Sequence, residues 1–371
     1  MPGSRPTRRY TEMENWKTRV RRVTPYTPGM QPAPDAKLIK LNTNECPYPP
    51  SPKVAEVFAR FEAGTLRLYP QPDADSLTEA LAAYHGVAKE QVFTGVGSDE
   101  VLALAFLTFF AGEGHEARPV FFPDVTYSFY AVWADLFGIP YETKALREDF
   151  SLDAADYADA PGGVVLANPN APTSLAAPLS LIEEIVAKNR GTVVIVDEAY
   201  IDFGGETALP LLAKYDNLLI TRTFSKSRAM AGMRVGYAVG NAELIACLKN
   251  TKFAYNSYTM SRVAIETGVA SIQDEAYFRE TVEKIKATRE RLAQELSALG
   301  FTFPPSAANF LFVRHPQADA KTLYEALMKE HIYVRYFAAP RTKDYLRVTV
   351  GTEEEAEALL AFLRAYPPLH G

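Results

Sequence analysis

A chain of 371 residues, 47% hydrophobic and 23% charged, has ordinary globular composition and enough length for a large core and two domains. Its formal net charge of −6 argues against a general nucleic-acid binder. Two cysteines, Cys46 and Cys247, exclude a disulfide framework or a cysteine zinc cluster and suit a reducing, cytoplasmic compartment; the five histidines are scattered, with none at metal-ligand spacing.

The opening "MPGSRPTRRY" is basic but has no apolar stretch behind it, so it does not read as a secretory signal, and Glu12 and Glu14 weigh against a transit peptide. Residues 1–50 are rich in Pro, Arg and Tyr. The prolines of "VTPYTPGMQPAPDAK" (Val23–Lys37) are too frequent for helix or central strand, which predicts an extended arm. "SLTEALAAYHG" (Ser76–Gly86) carries a Ser N-cap, a Glu three residues on and a terminal Gly, and predicts a helix. Strand and helix patterns then alternate: "QVFTGVG", "SDEVLALAFLTFF", "PVFFP", "YSFYAVWADLFG", "GVVLANPN" and "LSLIEEIVAKNRG". The strands "TVVIVDEAY", "NLLITRTFS" and "RVGYAVG" follow. The longest apolar run, Val101–Gly112, is too short to span a bilayer and reads as a buried helix. Strands apolar throughout and separated by helices predict an α/β fold with a parallel sheet covered on both faces, whose ligand sites lie at the C-terminal strand ends. From about residue 241 the pattern is helical, with a long charged helix in Asp274–Gly300. A smaller α/β part ("NFLFVR", "DAKTLYEALMKEH", "YLRVTV", "EEEAEALLAFLRAY") closes the chain. The expected organisation is an N-terminal arm (1–50), a large domain (51–245), and an interdomain helix with a small C-terminal domain (246–371).

Three features fall at strand ends. "GVGSDE" (Gly95–Glu100) puts Ser98 and Asp99 at a helix start, which is either an anion cradle or a plain Gly turn with a cap. Asp197 ends the apolar "VVIVD". A carboxylate buried there needs a cation, whether a protonated pyridine, a metal or an arginine; the competing reading is a helix N-cap. Lys226, in "TFSKSRAMAGMR", follows "LLITR" with Ser225 and Arg234 nearby. A lone lysine is most often a surface charge. One at a strand end beside phosphate-binding groups can form a Schiff base, provided that burial and neighbouring cations keep its amine neutral. An anion cradle, an acid and a lysine in that order meet the needs of pyridoxal phosphate (PLP).

Taken together, "LNTNECPYPPSP", "LYPQPDADSLTEAL", "GVGSDEVL", "PDVTYSFY", "NPNAPTS", "VDEAYIDF", "TFSKSRAMAGMRVGY" and "YLRVTVGT" resemble fold-type I PLP-dependent aminotransferases, most closely the histidinol-phosphate aminotransferase family, over nearly the whole chain. The resemblance implies a large domain with a mostly parallel sheet covered by helices plus a small C-terminal α/β domain. It implies transamination of histidinol phosphate with 2-oxoglutarate in histidine biosynthesis. By the same resemblance Lys226 is the Schiff-base lysine and proton shuttle, Asp197 holds the pyridinium nitrogen, Tyr200 bonds the 3′-oxygen and Tyr127 stacks on the ring. Ser98 and Asp99 offer backbone amides to the phosphate, and Ser225 and Arg234 offer side chains. Tyr69 reaches the phosphate of the neighbouring subunit's cofactor, which implies a homodimer. The family's asparagine before Pro-Thr-Gly is replaced by Ala171, and Ser174 stands for the glycine, so Asn170 is the candidate for the missing 3′-oxygen contact. Arg347 is the expected carboxylate fork; Arg335 and, from the partner's arm, Tyr26 are the expected holders of the substrate phosphate. Asn44, Glu45 and Asn309 receive no role. The rivals are an aromatic-amino-acid aminotransferase or a threonine-phosphate decarboxylase on the same scaffold. A non-catalytic PLP-binding regulator lacks its helix-turn-helix here, and a NAD-dependent dehydrogenase lacks the third glycine in "GVGSDE".

Overall fold

The computed structural model describes residues 20–33, 38–112 and 117–369. The first nineteen residues of the expected arm, including the basic opening stretch, lie outside the described residues. In chain order the elements are β1 (Ile39–Lys40), α1 (Pro52–Arg60), α2 (Asp75–His85), β2 (Val92–Val96), α3 (Gly97–Phe109), β3 (Val120–Pro123), α4 (Phe129–Phe137), β4 (Tyr141–Lys144), β5 (Gly163–Ala167) and α5 (Leu179–Lys188). Then come β6 (Val194–Asp197), β7 (Leu218–Thr223), β8 (Val235–Gly240), α6 (Ala242–Tyr255), α7 (Arg262–Ile272) and α8 (Glu275–Ala298). The chain ends with β9 (Phe310–Val313), α9 (Ala320–Lys329), β10 (Ile332–Tyr333), β11 (Arg335–Tyr336), β12 (Leu346–Thr349) and α10 (Glu353–Ala365).

Seven strands form the main sheet in the order β2-β8-β7-β6-β5-β3-β4. β5, β6 and β7 are buried along their whole length, because alternate residues face opposite cores. Val165, Ile195 and Leu219 join Phe106, Tyr130 and Trp133 on one side. Val164, Val194 and Leu218 pack with Ile182 and Val186 of α5 on the other. The sheet is not wholly parallel: β8 runs antiparallel to both β7 and β2. The reason is the connection. Between Thr223 and Val235 there is no α-helix, and so short a link does not make the crossover that a parallel pair requires.

A second, three-stranded antiparallel sheet, β11-β12-β9, packs with α8, α9 and α10. Residues 39–40, read from sequence as part of an extended arm, run beside β10 as β1, and Leu41 after them is buried in this smaller core. Helix α2 begins at Asp75, one residue before the expected cap Ser76, because the chain enters it through Ala74 in a left-handed conformation (φ 48°).

Beneath the carboxyl edge of the sheet lies a buried ion pair. Glu198 follows Asp197 and accepts from Arg222 Nη2 at 2.7 Å, from Thr207 Oγ1 and from the Ala208 N–H. Arg222→Ala would strand a desolvated carboxylate and is expected to lower unfolding free energy by about 3–5 kcal/mol, read from chemical denaturation; a loss under 1 kcal/mol would contradict the burial described here.

Candidate active site

Two cavities meet at the carboxyl ends of the parallel strands. The first, of about 180 Å³, is lined by Ser98, Asp99, Tyr127, Asp197, Tyr200, Ser225, Lys226 and Arg234. The second, of about 140 Å³, is lined by Tyr26, Asn44, Tyr127, Tyr200, Lys226, Arg335 and Arg347. Tyr127, Tyr200 and Lys226 belong to both.

At the base of the first cavity Asp197 is 4% exposed. Burial pushes its carboxyl up to about 6, although the Tyr130 hydroxyl donates to Oδ2 at 2.9 Å and the Thr221 hydroxyl to Oδ1 at 3.3 Å. The parallel register sets Asp197 directly beside Thr221, so the sheet itself supplies that second donor. Among the described residues no cation pairs with this carboxylate. A metal is not indicated either, since no group of three or more His, Cys, Asp or Glu among the described residues could hold one. The site is therefore suited to a cationic ligand atom.

Across the cavity is the opposite demand. Helix α3 starts at Gly97 with no side-chain cap, and Ser98 and Asp99 of its first turn line the cavity. Gly97 has φ +75°, and a Cβ there would lie 2.6 Å from Arg234 Nη2. A Cβ on Gly236 would strike the Ser98 amide, so glycine is needed for α3 to lie against β8. Arg234 reaches Asp99 Oδ2 at 3.0 Å and Ser225 Oγ at 3.5 Å, and Tyr127 donates to Asp99 Oδ1 at 2.9 Å. The first turn of α3, the Ser225 hydroxyl and the Arg234 guanidinium thus line one end of the cavity, where Asp99 holds the guanidinium. Between the two ends, Lys226 Nζ donates to the Thr43 carbonyl at 3.1 Å and lies 5.7 Å from the Tyr200 ring centroid.

In the second cavity Arg335 and Arg347 stand directly opposite each other on β11 and β12. Arg335 donates to the Thr27 and Pro28 carbonyls and Arg347 to the Asn42 carbonyl; neither has a carboxylate partner among the described residues. Burial and the neighbouring Arg335 hold the Arg347 guanidinium below its usual range, and its Nε is buried without a partner. Like charges opposed across a strand pair are destabilising unless an anion sits between them.

Two expectations change. Asn170 does not line either cavity: its amide donates to the Val125 carbonyl and Thr173, and its oxygen accepts from Thr126, so nothing remains for a ring oxygen. Tyr26 comes from the chain's own arm rather than a partner's. Its ring stacks on Phe129 at 4.2 Å, and the arm is held back by the bonds from Arg335 to Thr27 and Pro28 and from Asn42 to Met30. Tyr69 lines neither cavity; it is 79% exposed and stacks on Tyr258. Sequence reasoning missed Tyr130, Thr221 and the role of Asn44. Tyr130 lies three residues beyond Tyr127, just inside α4, but nothing in that spacing aims it at Asp197.

The aminotransferase class I and II family matches residues 36–363. A histidinol-phosphate aminotransferase of Dechloromonas aromatica is 52% identical over 353 residues, covering 94% of this chain and 98% of that protein. Another from Lactococcus lactis is 49% identical, covering 95% and 98%. The crystal structure of histidinol-phosphate aminotransferase from Sinorhizobium meliloti in complex with pyridoxal-5′-phosphate aligns with a TM-score of 0.78 at 25% identity, covering 89% of this chain and 90% of that one. The chain therefore belongs to the class I and II aminotransferases and, among them, to the histidinol-phosphate aminotransferases.

Proposed function

We propose that this chain is a PLP-dependent aminotransferase that moves the amino group of histidinol phosphate to 2-oxoglutarate. The observation that carries the substrate reading is the pair of opposed, carboxylate-free arginines, Arg335 and Arg347, in a cavity that shares Lys226 with the cofactor space. One arginine pair able to take a phosphate or a carboxylate suits two substrates that differ in that group.

The residues fit PLP. Asp197 would hold its ring nitrogen, Tyr127 would cover a face, Tyr200 would bond its 3′-oxygen, and the first turn of α3 with Ser225 and Arg234 would hold its phosphate. Lys226 would reach its aldehyde. The bound cofactor supplies an electron-withdrawing ring and a carbonyl to receive the amino group. Lys226 Nζ, at the seam of the two cavities, takes and returns the proton at the substrate carbon. Asp197 stays ionised opposite a cation, and Tyr26, Arg335 and Arg347 orient the substrate. In this reading residues 51–245 hold the cofactor and residues 246–371 supply the substrate arginines.

A cytoplasmic homodimer completes the proposal. Leu66, Leu68, Tyr69, Tyr255 and Tyr258 are large apolar side chains left exposed, and Tyr69 stacks on Tyr258; a partner would cover such side chains, and Tyr69 would extend towards it. No helix among the described residues is long and apolar enough to cross a membrane.

The test is a half-reaction. PLP-loaded protein given histidinol phosphate without an oxo acid should lose its visible absorbance much faster than with phenylalanine. Arg335→Ala should slow the phosphate substrate on the order of 10-fold or more and slow phenylalanine, whose carboxylate Arg347 still holds, much less. Equal rates for both substrates would make the enzyme an aromatic or dual-specificity aminotransferase. Carbon dioxide release from threonine phosphate would make it a decarboxylase. A protein that acquires no visible band with PLP would refute the cofactor assignment.

A further inference from the structure

Asn44 is 1% exposed and has φ 56°, a left-handed backbone that an asparagine tolerates better than most residues. Its polar groups make four bonds to three parts of the chain. Its N–H donates to Thr349 Oγ1 at 3.0 Å. The Thr349 hydroxyl donates to its Oδ1 at 2.9 Å. Asn309 Nδ2 donates to its carbonyl at 3.0 Å. Its own Nδ2 donates to Tyr200 Oη at 2.9 Å.

Thr349 Oγ1 accepts from the Asn44 N–H and gives its one proton to Oδ1, and in this arrangement the amide nitrogen faces Tyr200. Tyr200 Oη is thus an acceptor towards Asn44, and its own proton is left for some other acceptor. Among the described residues it has no other hydrogen-bond partner. The side chain lines both cavities, packed beside Ala171, whose methyl offers no donor.

We infer that Asn44 is a positioning residue: by donating to Tyr200 it compels the Tyr200 hydroxyl to donate into the cavity, and through Thr349 and Asn309 it ties that donor to the β9–β12 sheet. The inference rests on the PLP reading, in which the acceptor in the cavity is the cofactor's 3′-oxygen. On this wall Tyr200 does the work that Ala171 cannot, and Asn44 fixes its direction.

Asn44→Asp tests it. The carboxylate keeps the size of the amide and its bond from Thr349, but it accepts where the amide donated. It draws the Tyr200 proton away from the cavity. A donor on the 3′-oxygen stabilises its negatively charged form, so its loss raises the pH at which the visible absorbance of the PLP-loaded protein changes. The expected rise is about one pH unit, with weaker PLP binding measured by titrating the cofactor-free protein. Tyr200→Phe should give a similar rise, and Asn44→Asp added to Tyr200→Phe should add little. Asn44→Gly keeps the left-handed backbone and frees the phenol to turn, so it should give a smaller shift of the same sign. An unchanged midpoint in both Asn44 variants, with only thermal stability lowered, would reduce Asn44 to a structural tie and overturn the inference. So would an Asn44→Asp shift that persists in full without the Tyr200 hydroxyl, since that is the signature of bare charge. A wild-type protein that never develops the absorbance would overturn the cofactor reading and this inference with it, a result distinct from the other two.

Discussion

Lys226→Ala is expected to lose at least about 10⁴-fold in turnover, because one amine provides both the nucleophile and the proton carrier at the substrate carbon. The fold should survive the change. Lys226 follows β7 at the mouth of the cavities, and among the described residues its side chain bonds to the Thr43 carbonyl and pairs with no carboxylate, so deletion strands no buried partner charge. The cofactor should also stay, more loosely, since Asp197, Tyr127, Ser225 and Arg234 are untouched and still answer its cation, face and phosphate. The decisive measurements are therefore paired: turnover of the purified variant, and PLP retained after gel filtration. A small primary amine added to the variant should recover part of the rate by entering the space the side chain vacates. Turnover within 10-fold of wild type would remove Lys226 from the chemistry.

The strand-end residues were legible from sequence for a physical reason. A parallel sheet buried on both faces declares itself as wholly apolar runs, and polar residues at the ends of those runs have few structural excuses. Asp197, Lys226, Ser98 and Asp99 all stood out in that way. β4 did not, because Tyr141–Lys144 is an edge strand with three exposed residues and carries no apolar signal. The direction of β8 was also hidden. Its residues are as apolar as those of its neighbours, and only the helix-free link before it dictates the reversal.

What could not be read from the chain is what tertiary approach decides. Tyr130 meets Asp197 across 67 residues and Asn44 meets Tyr200 across 156, and neither pair has a local signature. Asn170 illustrates the reverse error. Its place next to Ala171 suggested a substitute for a missing contact, but the tight Asn170–Leu175 turn uses its amide to bond the Val125 carbonyl and Thr173. The resemblance gives Tyr26 to a partner's arm, whereas here it lines the cavity of its own chain, with bonds from Arg335 and Asn42 to its arm.

Asp197→Asn should separate stability from function in opposite directions. In the cofactor-free protein the Asp197 carboxyl is raised from 3.8 to about 6 by burial, with two hydroxyl donors only partly offsetting the loss of water. A raised acid means that the native state holds the proton more tightly than the unfolded chain. Its contribution to stability is then fully present below pH 4 and is lost as pH rises through 6, so at pH 8 the wild-type protein carries an ionised, unpaired, buried carboxylate. Asparagine in the same shape removes that charge, and the Tyr130 and Thr221 hydroxyls can turn to accept from its amide. The cofactor-free variant should therefore be more stable than wild type at pH 8, by on the order of 2 kcal/mol, and the gain should vanish at pH 4. With PLP the order reverses. A protonated ring nitrogen pairs with the wild-type carboxylate and not with the amide, so the variant should bind PLP more weakly and lose about 10²–10³-fold in turnover. Denaturation of the cofactor-free proteins at the two pH values, with turnover of the loaded proteins alongside, tests both halves. If the variant matched wild type in turnover, the ring nitrogen would not depend on Asp197. If its stability advantage were the same at pH 4 and pH 8, the buried carboxylate would not be the unpaired charge that the geometry around Tyr130 and Thr221 implies.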